Sequence, residues 1–304
     1  MEPESSSTDP RSAAQAQKQP VKRDACVLIP LCIVCAAHYS ILQNHGELTD
    51  LNPVAELLSP KSKQPKHSSR SLSKDTMHKK AYGAVHPRDA LGTYIAKPES
   101  YSPNIVAYYN DDFVVLHDLF PKSTLHLLLL PRDPEKSFLH PVEAFDDAEF
   151  TRKVKEEVKK VRTLAAGELR RKYGKYSARD KERQEALDAD PPPETLPAGR
   201  DWEQDIMCGI HAHPSMNHLH IHIISVDRYS DRLKHRKHYN SFSTPFFINI
   251  NDFPLAREDP RREPDRHGYL RRNLTCWRCG RDFGNQFTAL KKHLEEEFDE
   301  WKQL

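Results

Sequence analysis

His218-Leu-His-Ile-His222, running directly into Ile223 and Ile224, is the stretch that decides the fold. On a β-strand successive side chains alternate faces, which predicts His218, His220 and His222 side by side on one face and Leu219, Ile221 and Ile223 on the other. Imidazole is a mediocre packing group whose value lies in acting as nucleophile, proton shuttle or metal ligand near neutral pH. The structural alternative is a polar strand face that merely happens to be rich in histidine.

The neighbouring residues decide among these uses. Upstream, Gly209-Ile-His-Ala-His-Pro-Ser-Met-Asn217 adds His211, His213 and the Ser215 hydroxyl, with Pro214 forming a turn ahead of the strand. A histidine zinc site would recruit Asp or Glu to orient its rings, and the acid at hand is Asp227, beyond the strand. No metal is therefore expected in this cluster.

Outward from the histidines the pattern is α+β. Residues 105–109 and 113–117 read as strands around the turn Asn110-Asp111-Asp112, and residues 125–130 as a third. Residues 144–173, with Phe150, Val154, Val158, Val161 and Leu164 at helical spacing, predict a long amphipathic helix over one sheet face. Ala90, Leu91, Tyr94 and Ile95 predict a short helix ended by Lys97-Pro98, and the charged, Pro-rich stretch 177–199 reads as a surface loop or insertion.

The second motif is Cys276-Trp-Arg-Cys279, thirteen further residues, then His293, with Phe283, Phe287 and Leu290 as a small core. This reproduces the front of a C2H2 zinc finger, but the second histidine is missing. Glu297 lies four residues after His293, on the same helical face, and is the expected fourth ligand of a structural Zn2+. Between Arg261 and Lys292 stand nine Lys/Arg against three Asp/Glu. Such an excess beside a finger points Arg271, Arg272, Arg278, Arg281, Lys291 and Lys292 toward a nucleic-acid backbone.

The 304 residues carry a net charge of +2, with 30% charged residues, enough for one or two domains and polar flanks. The six cysteines form no spaced disulfide framework, which places the chain in a reducing compartment. The expected organisation is a mostly disordered region 1–84, a catalytic domain 85–250 and a finger domain 251–304. Within the first region, residues 59–80 form a basic, Ser-rich linker. The apolar segment 25–37 is shorter than the roughly 18–20 residues of a spanning helix, so no stable membrane association is expected.

The run from Gly209 through Leu233-Lys-His-Arg-Lys-His-Tyr-Asn-Ser-Phe242, with Val114-Val-Leu-His-Asp-Leu-Phe-Pro-Lys122, His126-Leu-Leu-Leu-Leu-Pro131 and the finger, resembles the histidine-triad (HIT) nucleotide hydrolases and transferases. More closely it resembles their aprataxin branch. The resemblance implies a HIT-like antiparallel sheet with packed helices, followed by a small C2H2-like finger with a Cys-Cys-His-Glu ligand set. His220 then takes the place of the nucleophile that attacks the α-phosphate of a nucleotide, with its other ring nitrogen held by a hydrogen bond.

By the same resemblance His218 and His222 donate to phosphate oxygens, His211 assists the leaving group, and Ser215, Lys237, Lys122 and His126 lie near the phosphates. Asp118 matches the ribose-binding acid, and Leu116, Leu119 and Leu129 would wall the base. Relatives carry an aromatic wedge just before the first helix, where this chain has Pro87; Tyr94 or Tyr101 would have to compensate. The implied substrate is DNA with nicks or breaks bearing 5′-AMP, the product of aborted ligation, in the nucleus, with AMP released. Removal of guanylate from 3′ ends is a further implied activity. The rival readings are a hydrolase of small dinucleotides, which needs no finger, and a non-catalytic DNA-binding scaffold.

Overall fold

The computed structural model describes residues 86–304. The disordered region expected over 1–84, its basic arm and the apolar segment 25–37 lie outside the described residues. None of the described helices is long and apolar enough to cross a membrane.

A short helix α1 (Gly92–Ala96) precedes strands β1 (Val106–Tyr109), β2 (Phe113–His117) and β3 (His126–Pro131). Single helical turns α2 (Pro134–Ser137) and α3 (Pro141–Ala144) lead into the long α4 (Ala148–Tyr173) and then α5 (Ala178–Asp188). Strands β4 (Ile206–His211) and β5 (Ile221–Ser225) follow, then α6 (Arg236–Ser243), β6 (Phe247–Asn249) and the finger helix α7 (Phe287–Trp301). The six strands form one antiparallel sheet in the order β1-β2-β3-β5-β4-β6.

Both faces of the sheet are covered, which explains why β2 and β3 read as nearly continuous apolar runs. Val115, Leu127, Leu129, Ile221 and Ile223 point to the α4 face, whereas Val114, Leu116, Leu128 and Leu130 pack under α1 with Leu91 and Tyr94. The long helix begins later than its apolar spacing predicts, because Asp147 caps it by accepting from the Glu149 and Phe150 amides. Its buried stripe runs Phe150, Val154, Val158, Val161, Ala165, Leu169; Leu164, expected on that stripe, is 51% exposed. An i+3 step from Val161 rotates out of the core where the i+4 step to Ala165 stays in it.

The stretch expected as a loop over 177–199 is helical in its first half. Ser177 caps α5, its hydroxyl donates to the Leu304 carbonyl at 2.6 Å, and the Ala178 amide donates to the Gln303 carbonyl. α5 has no buried residue, so no apolar stripe announced it.

The finger is built into the same core. Trp301, at the end of α7, is buried edge-on to Trp202, and its indole N–H donates to Asp205 at 2.8 Å. The Arg200 guanidinium lies 4.0 Å from the Trp202 ring and 4.8 Å from that of Trp301.

Candidate active site

His220 and His222 stand at the start of β5 with ring centroids 4.9 Å apart. His220 Nδ1 lies 2.8 Å from the His218 carbonyl, so that nitrogen carries the proton and donates, leaving the lone pair on Nε2. The hydrogen-bond chain fixes the neighbouring tautomers in the same way. The Lys122 amide donates to His126 Nδ1 at 3.2 Å; His126 Nε2 then carries the proton and donates to His222 Nδ1 at 2.9 Å, which leaves a proton on His222 Nε2. His211 packs against His222 at 4.4 Å. The Nε2 atoms of His211 and His222 are buried without a protein partner, two polar atoms set to meet a ligand.

Burial holds these rings neutral. It pushes His126 down to about 4, lowers His220, and drives His211 and His222 well below the ordinary histidine range, with neighbouring imidazoles adding to the effect in the last two. A neutral imidazole with a free Nε2 is a nucleophile at neutral pH.

His218 departs from the alternation predicted for it. Regular strand begins only at Ile221, and the Leu219 amide is drawn to the Ser137 carbonyl at 2.7 Å, so the preceding residues leave the strand path. The His218 ring packs on Phe138, 4.4 Å away, and under Gly92, and it does not line the cavity. The expected phosphate donor is thus corrected: the backbone carbonyl of His218 serves the site, while its ring supports α1.

The histidines open into a cavity of about 450 Å³. Leu116, Leu119 and Leu128 line it; Leu129, expected there, faces the α4 core because the base-facing side of β3 carries the even-numbered residues. Asp118 sits at the end of β2, one carboxylate oxygen 3.2 Å from His126 Nδ1 and the other accepting from the Phe120 amide at 2.8 Å. Lys122, whose ammonium donates to the Phe120 carbonyl, lines the cavity with Ser215 and Lys237. His213 is exposed at the mouth, 3.7 Å from Asp265. Sequence reasoning missed Phe242 and His238, which reach the cavity from α6, the helix that also carries the expected Lys237.

Pro87 lies in a helical turn, Pro87–Asp89, tied to the loop before β5: Arg88 Nε donates to the Ser215 carbonyl at 2.9 Å, and Asn217 donates to Asp89 at 2.6 Å. Tyr94 cannot replace an aromatic wedge, because it is buried in the sheet core against Tyr101, 4.6 Å away.

In the finger, a hairpin closed by the Cys276 amide on the Arg281 carbonyl carries both cysteines, and Gly280 supplies the left-handed turn after Cys279 at φ 75°. Donor atoms of Cys276, Cys279, His293 and Glu297 all lie within 4.8 Å of one another. Two thiols, an imidazole and a buried carboxylate fit a structural Zn2+. Arg278 is not free for phosphate as expected: it donates at 2.6 Å to Glu297 and at 2.6 Å to Glu300, orienting a metal ligand. Arg271, Arg272, Arg281 and Lys292 are exposed, and Lys291 is half-buried. Asp118, His126 and His222 also offer donor atoms within 4.8 Å; here the Asp118 carboxylate lies 3.2 Å from His126 Nδ1, and the His126 and His222 rings share a hydrogen bond.

Fold and site together define a nucleotide hydrolase of the HIT class with an appended C2HE finger. Residues 99–229 match the HIT domain family, and residues 243–300 match the C2HE / C2H2 / C2HC zinc-binding finger. The chain belongs to the aprataxin family. It is 39% identical over 227 residues to an aprataxin-like protein of Schizosaccharomyces pombe, covering 73% of this chain and 86% of that protein. It is 38% identical over 218 residues to an aprataxin-like protein of Saccharomyces cerevisiae, covering 70% of this chain and 96% of that one. The crystal structure of the aprataxin ortholog Hnt3 in complex with DNA aligns with a TM-score of 0.55 at 36% identity, covering 70% of this chain and 96% of that chain.

Proposed function

We propose that this protein removes AMP from 5′-adenylated DNA ends in the nucleus, restoring a 5′-phosphate. The observation that carries the reading is the 2.8 Å bond from His220 Nδ1 to the His218 carbonyl, which aims a neutral Nε2 lone pair into a cavity bearing Asp118. Asp118 accepts from the ribose hydroxyls through its two oxygens. His220 Nε2 attacks the AMP phosphorus; the bond to the bridging oxygen breaks and the DNA 5′-phosphate leaves. His211 and His222, whose Nε2 atoms lack other partners, stabilise the charge that develops on the phosphate oxygens, with Ser215 and Lys237 at the rim. Water then attacks the same phosphorus, the P–N bond breaks, and AMP leaves with His220 restored to its neutral form.

The finger and the DNA complex formed by the related Hnt3 support DNA as the substrate. Zn2+ held by Cys276, Cys279, His293 and Glu297 would order the finger, and the exposed Arg271, Arg272, Arg281 and Lys292 would take the phosphate backbone. The test is AMP release from adenylated nicked DNA. His220→Ala should lose it by roughly three orders of magnitude or more while binding DNA about as tightly as wild type. Unchanged release by that variant would end the covalent mechanism, and equal turnover of free dinucleotides would favour a small-nucleotide hydrolase.

A further inference from the structure

Helix α6 has two working faces. His238 and Phe242 look into the nucleotide cavity, and the Phe242 ring lies 4.6 Å from His211, 5.1 Å from His222 and 5.4 Å from His126. The opposite face is fastened to the finger: Tyr239 Oη donates to the Thr275 carbonyl at 2.8 Å, Asn240 to the Arg272 carbonyl at 2.8 Å, and Arg236 to Asn285 at 2.7 Å. Tyr239 also packs with Leu274, Leu290 and Leu294 of the finger core.

Arg228 closes this arrangement. It is buried, holds a left-handed backbone at φ 47°, and has no carboxylate ion-pair partner among the described residues. Such a conformation in a non-glycine residue persists only where the surroundings over-determine it. Its guanidinium donates to the Phe242 carbonyl at 2.9 Å and the Ser243 hydroxyl at 3.1 Å, and it lies 5.4 Å from the Trp277 ring, between the paired cysteines of the finger.

We propose that Arg228 is a positioning residue for the chemical step, braced on Trp277 of the finger and pinning the last turn of α6 so that Phe242 holds the catalytic imidazoles in place. The finger is then part of the active-site wall as well as a DNA-binding element. This rests on the reading of the histidine cluster as a nucleotidyl-transfer site.

The experiment uses the zinc-loaded full chain and a substrate too small to reach the finger surface, adenosine 5′-phosphoramidate, alongside hydrogen exchange of residues 236–247. Arg228→Gln should lower kcat about tenfold or more, normalised to the first-turnover burst of protein-bound AMP, with KM within about twofold because Leu116, Leu119 and Leu128 line the cavity from β2, the loop after it and β3. Exchange over α6 should accelerate, one zinc per chain should remain, and Arg228→Lys should recover part of the rate. If Arg228→Gln does not fold, Trp277→Leu carries the same expectations. Unchanged kcat with unchanged exchange, or a loss that tracks zinc content or burst amplitude, overturns the proposal. If wild type leaves the phosphoramidate intact, adenylated nicked DNA replaces it under the same expectations; if wild type leaves that intact too, the nucleotidyl-transfer reading fails instead, and exchange over α6 alone decides whether Arg228 couples finger to wall.

Discussion

At the scale of single residues, the site depends on a carbonyl that no motif names. The His218 carbonyl selects the His220 tautomer, and the His218 ring is wedged between Phe138 and α1. A Cβ added at Gly92 would meet His218 Nε2 at 2.7 Å and Cε1 at 2.8 Å. Because that ring is buried, Gly92→Ala should destabilise the fold by about 1–3 kcal/mol. It should also slow AMP release beyond what its stability loss explains, since displacing His218 moves the carbonyl that orients the proposed nucleophile. Urea unfolding and single-turnover kinetics on the same variant check both parts; wild-type turnover in Gly92→Ala would mean the carbonyl tolerates movement. That His220 and His222 share one site was legible in the sequence, although their ring planes lie at 82° to each other and His222 makes most of the ring contacts. The direction of His218 was not, because a long-range hydrogen bond from Leu219 to the Ser137 carbonyl ends the strand before it.

Among the elements, the two-faced strands and the long helix were legible because local periodicity matches what each buries. α5 was not, since a helix with no buried residue leaves no apolar stripe to read. The finger shows both outcomes on one helix. Glu297 is found where the i+4 rule puts it, its carboxylate 2.9 Å from His293 Nε2. Arg278 reads in sequence as one more basic residue in a cationic run, yet its partners Glu297 and Glu300 are 19 and 22 residues away. Removing that donor should loosen the metal ligand it orients. Arg278→Met is expected to weaken zinc binding about 10- to 100-fold, measured by competition with a chromogenic chelator. An affinity equal to wild type would show Glu297 to be positioned by α7 alone. Glu297→Ala should go further, releasing zinc during purification and lowering the melting temperature, because α7 carries Trp301 into the catalytic core.

For the whole molecule, a cluster of buried neutral imidazoles makes stability a function of pH. His126 folds with its acidity set at about 4 against an ordinary 6.5, burial being the chief cause, and His211, His220 and His222 are shifted in the same direction. Above 6.5 neither folded nor unfolded chain binds these protons, so their neutral burial carries no pH penalty. As pH falls below 6.5 the unfolded chain takes up protons that the native cluster refuses, and unfolding becomes easier until the folded values are reached. For His126 alone, the fall from 6.5 to about 4 corresponds to about 3 kcal/mol of lost stability. Asp227 acts the other way: fully buried, its carboxyl is pushed above the usual range despite bonds from Ser225, Thr124 and Tyr229, so the native state gains relative to the unfolded one as it protonates. The two contributions separate by substitution. His126→Gln should flatten the decline in unfolding free energy between pH 6.5 and 4.5 while leaving the Asp227 contribution in place, and urea unfolding across that interval measures both chains. A wild-type profile no steeper than that of His126→Gln would mean that His126 itself protonates in the folded state.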